Sequence, residues 1–214
     1  MEATRILAIR HGETAWNVET RIQGQLDIPL NATGQWQAQR VAQALAQLDT
    51  IAAIYSSDLL RALETARAIA ASTGAPLQTH TGLRERGFGL FEGKTFVEIE
   101  NDWPDESRRW RQREPHWAPP SGGESLLQLR ERISSTLHEL AAQHAGEQIV
   151  LVAHGGVLDQ LYRAATGQDL QAPRTWELNN AAVNRLLWTP QALSLVGWAD
   201  TLHLDERSLN ELDS

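Results

Sequence analysis

Short apolar runs alternate along the chain with longer segments in which apolar residues recur at helical spacing. The runs at residues 6–9, 51–55 and 149–153 are too short for buried helices, and each stops at a short polar sequence, so they predict buried strands. Weaker runs predict three further strands, at residues 76–80, 182–188 and 193–198.

Four segments carry the apolar spacing of amphipathic helices. They are residues 33–48, with Thr33 as the expected N-cap, and residues 59–71, 121–146 and 157–165. Glycines follow three of these segments at Gly74, Gly146 and Gly167, a placement typical of helix C-termini. Residues 95–120 show no long period and are expected to be irregular and partly helical.

Strands that alternate with helices favour a three-layer α/β/α sandwich with a mainly parallel central sheet. A length of 214 residues fits one domain over residues 1–214, in which residues 86–120 form a small cap insertion. Within the cap, Trp103, Trp110 and Trp117 are expected either to anchor a core or lid or to form the apolar wall of a pocket.

Composition excludes several classes of partner. The formal net charge of -8 argues against nucleic acid and anionic membranes, which are usually bound by an excess of Lys and Arg. The absence of cysteine excludes disulfides, zinc–thiolate sites and a cysteine nucleophile. The first apolar run is too short for a signal sequence or a membrane span. We expect a cytoplasmic protein.

Polar residues with a common chemistry follow three of the predicted strands. Arg10 and His11 follow the first, Arg61 lies in the turn after the second, and His154 follows the 149–153 strand. Because ligands gather beyond the carboxyl ends of parallel strands, these side chains could meet in one crevice. Guanidinium groups match phosphate oxygens, and a glycine after each histidine could let the backbone approach a ligand closely. The pattern indicates an anion site.

Four segments carry a resemblance to a known family. They are LAIRHGETAWN at residues 7–17, SSDLLRALETA at 56–66, LRERGFGLFEG at 83–93 and LVAHGG at 151–156. In this order they resemble the histidine phosphatase superfamily, which includes the cofactor-dependent phosphoglycerate mutases. The match extends from about residue 5 to residue 160.

The resemblance implies a role for each matched position. His11 would be the nucleophile, Arg10, Arg61 and His154 would hold the phosphoryl oxygens, and Glu85 would be the proton donor. Further phosphate contacts would come from four other positions: Asn17, Gln23, Gly24 and Gly155. No metal or other cofactor is expected, because no His-x-His or His-Glu-x-x-His spacing accompanies these residues.

Three functions remain open from the sequence. Hydrolysis of a small phosphomonoester metabolite is favoured, because the chain is short between Glu85 and His154 and has Gly156 and Val157 where mutases typically have an asparagine–serine pair. A 2,3-bisphosphoglycerate-dependent phosphoglycerate mutase is the alternative, since Lys94 and the Arg108–Arg109 pair lie where mutases hold a carboxylate. A phospho-ligand binding protein without catalysis is the third. An exposed late strand could also pair two subunits into a homodimer.

Overall fold

The structure is a computed structural model that describes residues 2–205. Its strands are β1 (Thr4–Arg10), β2 (Ala53–Ser56), β3 (Leu77–Thr79), β4 (Gln148–Ala153), β5 (Val183–Thr189) and β6 (Ala192–Asp200). Its helices are α1 (Ala15–Val18), α2 (Ala32–Leu45), α3 (Leu60–Thr73), α4 (Phe96–Asp102), α5 (Pro104–Arg111), α6 (Leu126–Ala141) and α7 (Gly155–Thr166). Within residues 2–205, no helix has both the length and the apolar character needed to cross a membrane.

The six strands form one sheet in the order β3-β2-β4-β1-β5-β6. Strand β4 pairs in parallel with β1 and β2, and β2 pairs in parallel with β3. Strand β5 runs antiparallel to both of its neighbours, β1 and β6. The predicted α/β sandwich with a mainly parallel sheet is therefore confirmed.

Both faces of the sheet are covered by helices, which explains the continuous apolar strands. In β1, Ile6 and Ala8 pack in a cluster with residues of α6 and α7. The intervening Leu7 and Ile9 pack in a second cluster with residues of α2 and α3. Because successive side chains of a strand point to opposite faces, a strand buried on both sides must be apolar at every position.

Two predicted helix starts were wrong. Asn31, rather than Thr33, caps α2, and its side chain accepts a hydrogen bond from the Gly34 amide at 2.8 Å. Helix α6 begins at Leu126 behind a Ser125 cap instead of at residues 121–124. The backbone at Ser121 and at the following glycine has φ of 62° and 86°, a left-handed conformation that cannot belong to a right-handed helix.

An aromatic cluster holds together residues 86–120, the segment predicted to form a cap. Phe91 is fully buried there between the rings of Trp103, Trp110 and Trp117. The indole Nε1 of Trp117 donates a hydrogen bond to Glu106 at 2.7 Å. Trp110 also lines the large cavity described below. The three tryptophans therefore serve mainly as a small core, and one of them contributes to the pocket wall.

Candidate active site

Two histidines meet where neighbouring parallel strands end. Arg10 lies opposite Ala153 in the β1–β4 register, so His11 and His154 follow these strands side by side. The His11 amide donates to the Ala153 carbonyl at 3.0 Å, and the two imidazole rings lie 5.2 Å apart between centroids. The topology thus brings together two histidines that are far apart in the sequence.

A cavity of about 610 Å³ opens beyond these strand ends. The predicted site residues that line it are Arg10, His11, Asn17, Gln23, Gly24, Arg61, Glu85 and Gly155. His154 is fully buried and packs against the ring of His11, which itself lines the cavity. The nine predicted residues therefore converge on one place.

His11 is poised as a neutral base. Its Nδ1 lies 2.7 Å from the Gly12 carbonyl oxygen, which can only accept, so Nδ1 carries the hydrogen and Nε2 keeps its lone pair. Burial, followed by the charges of Arg61 and Arg10, holds the pKa of His11 well below its ordinary value. An unprotonated imidazole nitrogen can act as a nucleophile.

Two arginines are fixed in the site by backbone carbonyls. Arg61 is 1% exposed, and its Nη1 and Nη2 donate to Leu26 and Gly24 at 2.8 and 2.7 Å. Burial lowers the pKa of Arg61 to about 10, so its guanidinium stays charged at neutral pH. Arg10 donates to the Leu178 carbonyl, and burial lowers its pKa against the opposing effect of Glu85. Both cations are in place before an anion arrives.

Glu85 is positioned by the first turn of α7. Both of its carboxylate oxygens accept from the Gly156 amide, at 3.0 and 3.1 Å, and one also accepts from the Arg86 amide at 2.7 Å. A Cβ at position 156 would lie 2.3 Å from a Glu85 oxygen. A side chain at position 156 would therefore displace the Glu85 carboxylate from its present position.

His154 is a neutral partner of the nucleophile. Burial, followed by the charges of Arg61, His11 and Arg10, holds its pKa well below the ordinary value. Neither ring nitrogen has a hydrogen-bond partner among residues 2–205. The structure therefore favours a neutral, hydrogen-bonding His154 over a cationic one.

The other residues predicted to contact phosphate or let it approach differ in their hydrogen bonding and packing. Asn17 lines the cavity, but its Oδ1 accepts from the Thr14 amide at 3.0 Å and so helps to cap α1. Gln23 is buried, and its Oε1 has no hydrogen-bond partner in the described part of the chain. Gly12 lies against α2, where a Cβ would come within 2.4 Å of the Gly34 carbonyl. It is needed for packing.

Sequence reasoning missed two supports of the site. Arg132 donates to the carbonyls of Gly82 and Arg84 at 2.8 and 2.9 Å and thereby holds the loop that carries Glu85. Asn180 donates to the His11 carbonyl at 2.8 Å. Arg132 also pairs with Glu124 at 2.7 Å, but its bonds to the carbonyls of the Glu85 loop leave no signal in the sequence. The cavity is also lined by Asp159 and Gln160, which nothing in the sequence distinguishes from other residues of their helix.

The two neutral histidines predict a loss of stability in acid. Unfolded histidines titrate near pKa 6.5, whereas His11 and His154 have lower values when folded, so below that pH the unfolded chain binds more protons. Stability should fall as pH decreases from about 6.5, by up to about 1.4 kcal/mol per pH unit for each histidine. The free energy of unfolding can be measured with urea at several pH values in this range. Its slope against pH should be about 1.4 kcal/mol per pH unit shallower in His154→Gln than in the unaltered protein. Equal slopes would contradict the neutral state of His154.

Among residues 2–205, no group of three or more His, Asp or Glu side chains is arranged to hold a metal ion. The positive charge of the site comes from its arginines.

Comparison with known proteins agrees with this geometry. Residues 6–201 match the sequence profile of the histidine phosphatase superfamily (branch 1). Phosphoglycerate mutase-like protein 4 of Arabidopsis thaliana is 39% identical over 213 residues, which cover 96% of this chain and 89% of that protein. Metal-independent phosphoserine phosphatase of Arabidopsis thaliana is 37% identical over 204 residues, covering 95% and 84%. The solved structure of Bacillus stearothermophilus YhfR superposes with a TM-score of 0.87 at 32% identity and covers 95% of this chain and 100% of its own. The chain belongs to branch 1 of the histidine phosphatase superfamily.

Proposed function

We propose that the protein hydrolyses a small phosphomonoester through a phosphohistidine on His11. The observation that carries this proposal is the tautomer of His11, whose Nδ1 is held by the Gly12 carbonyl so that Nε2 keeps its lone pair, in a site where Arg10 and Arg61 favour the neutral ring. A site that only bound phosphate would gain more from a cationic histidine than from a neutral one. Glu85 beside the same cavity adds a group that can exchange a proton.

In the first step, His11 Nε2 attacks phosphorus as the ester P–O bond breaks. Protonated Glu85 gives its proton to the departing oxygen, so the leaving group departs as an alcohol. Negative charge spreads over the three equatorial oxygens, where Arg10, Arg61 and a hydrogen bond from His154 stabilise it. The products of this step are phosphohistidine, the alcohol and the Glu85 carboxylate.

In the second step, the Glu85 carboxylate takes a proton from a water molecule whose oxygen attacks phosphorus. The P–N bond to His11 breaks, inorganic phosphate leaves, and His11 returns to its neutral form. Glu85 is again protonated and ready for the next ester. The cycle consumes one water and needs no other reactant.

The contacts of three basic residues support hydrolysis over the mutase alternative. Lys94, Arg108 and Arg109 are not among the residues that line the cavity. Arg108 is exposed and pairs with Asp105 at 2.9 Å, and Arg109 pairs with Glu114 at 2.9 Å. Arg108 and Arg109 are therefore engaged outside the pocket, and this argues against a role for them in holding the carboxylate of a phosphoglycerate.

A phosphoglycerate mutase is the second candidate. It is supported by four other arginines that line the cavity and could hold a carboxylate: Arg21, Arg86, Arg113 and Arg174. The relatives include proteins named for both activities.

A cytoplasmic location, a homodimer and a cap over residues 86–120 stay predictions, and residues 206–214 of the expected single domain lie outside the described residues.

Incubation with 3-phosphoglycerate separates the two candidates. In the presence of a chelator, we expect slow release of inorganic phosphate that a 2,3-bisphosphoglycerate primer does not accelerate, because water reaches the phosphohistidine and the arginines supply the positive charge. Phosphate and 2-phosphoglycerate are measured together. Primer-dependent formation of 2-phosphoglycerate without phosphate release would establish the mutase instead, and loss of activity with the chelator would contradict the metal-free mechanism.

A further inference from the structure

One face of α7 extends the site beyond the proton donor. The Gly156 amide holds the Glu85 carboxylate, and Asp159 and Gln160 follow three and four residues later in the same helix. Residues at this spacing lie on one helix face, about 5–6 Å apart between Cβ atoms. Both side chains line the cavity that contains His11. They therefore lie one helical turn beyond Gly156, the residue that holds Glu85.

These two side chains hold polar atoms that the fold leaves without partners. Asp159 and Gln160 are 5% and 3% exposed. Asp159 Oδ2 accepts from Arg113 at 2.9 Å and Arg163 at 3.0 Å, whereas its Oδ1 and both amide atoms of Gln160 have no hydrogen-bond partner within residues 2–205. Because buried polar atoms in folded proteins are nearly always paired, three such atoms beside one cavity indicate a ligand.

Asp159 and Gln160 form a recess of the cavity. The reaction of the proposed function, on which this step rests, directs the leaving group towards this recess. In-line displacement places the departing oxygen opposite His11, where Glu85 must reach it to donate a proton. The carbon framework attached to that oxygen then continues past Glu85 towards Asp159 and Gln160. These residues contact the leaving group rather than the phosphoryl group.

The recess offers both donors and acceptors. Asp159 Oδ1 and Gln160 Oε1 accept, while Gln160 Nε2 and the unpartnered Nη2 of Arg86, another residue of the cavity wall, donate. A hydroxyl group does both at once. An alkyl or aryl group would leave all of these atoms unpaired. A carboxylate could pair only with the donors, Arg86 Nη2 and Gln160 Nε2, and would leave Asp159 Oδ1 and Gln160 Oε1 without a donor.

We propose that Gln160 and Asp159 recognise hydroxyl groups of the departing alcohol, so that the substrate is a phosphorylated sugar or polyol. Arg113 and Arg163 hold Asp159 in place through its other oxygen. Gln160 is then a specificity-determining residue that contacts the alcohol part of the ester. The phosphoryl transfer itself is carried out by five other residues: Arg10, His11, Arg61, Glu85 and His154.

Two matched pairs of esters test this recess. Glucose 6-phosphate and cyclohexylmethyl phosphate share a ring skeleton, and glycerol 3-phosphate and propyl phosphate share a chain, but only the first of each pair has hydroxyl groups. In at least one pair, kcat/KM should favour the hydroxylated ester, and Gln160→Leu should lower that preference roughly 10- to 100-fold. The exposed Gln39→Leu, on α2, is the control and should keep the preference.

Equilibrium binding separates this proposal from the proposed function. Calorimetry with His11→Ala, which cannot form phosphohistidine, should show tighter binding of the hydroxylated ester and loss of that preference when Gln160→Leu is added. Equal affinities for the two esters of both pairs, or a preference unchanged by Gln160→Leu, would contradict the recognition of hydroxyl groups by Asp159 and Gln160. If neither ester of either pair is hydrolysed by the unaltered protein, hydrolysis is contradicted, and the binding data still decide the role of Gln160.

Discussion

Replacement of His11 by alanine should abolish phosphoryl transfer to the protein and lower phosphomonoester turnover by about 10⁴-fold or more. The reason is that His11 provides the only nitrogen lone pair fixed beside both Arg10 and Arg61 in the described part of the cavity wall. Without it, water would have to attack the ester directly. The two arginines would still bind phosphate, so substrate affinity should change much less than kcat.

The phosphohistidine itself can be located. Trypsin cleaves after Arg10 and Arg21, so rapidly quenched digests kept away from acid should carry the added phosphoryl group on residues 11–21. The modification should be labile in acid and stable in alkali. His116→Ala, at an exposed histidine of the cap, should retain both the modification and the activity. Phosphate found on another residue, or activity retained by His11→Ala, would show that the nucleophile is wrong.

Glu85→Gln should slow hydrolysis of an alkyl phosphate by about 10²- to 10⁴-fold but affect p-nitrophenyl phosphate much less in the first step. An alkoxide is strongly basic and needs a proton to leave, whereas p-nitrophenolate departs without one. Glutamine keeps a carbonyl oxygen that can accept from the Gly156 amide, so the loop should stay in place. The burst of p-nitrophenolate reports phosphoenzyme formation, and phosphate release reports the later step.

The control for Glu85→Gln is Glu131→Gln, at an exposed carboxylate on α6. It should leave both esters unaffected. Equal losses of kcat/KM for the alkyl and the aryl ester, in a Glu85→Gln protein with an unchanged unfolding midpoint, would mean that another residue is the acid.

Much of the fold could be predicted because the central strands are buried on both faces. Such strands read as short continuous apolar runs, and their polar ends mark the edge where Arg10, His11 and His154 meet. The start of α2 was misplaced because Asn31 and Thr33 are both good N-caps, and only the observed bond to Gly34 distinguishes them.

The parts of the site that escaped prediction depend on tertiary contacts. Arg132 acts through bonds to backbone carbonyls some fifty residues away, which leave no pattern in its own helix. Gly12 resembles a ligand-binding glycine in the sequence, yet the close approach of α2 explains it. Asp159 and Gln160 read as ordinary helix residues until the position of Glu85 beside Gly156 is known.

The placement of β1 has a consequence for the order in which the protein matures during synthesis. This first strand lies between β4 and β5, which are translated much later, and the bond from Asn180 to the His11 carbonyl joins residues 169 positions apart. Contacts of such long sequence separation form slowly, because the chain must close a large loop before it gains any stabilisation. During synthesis His11 therefore emerges from the ribosome well before Asn180, and it cannot be ordered until the segment around Asn180 has emerged. Phosphoryl transfer should begin only after nearly the whole described chain has been made.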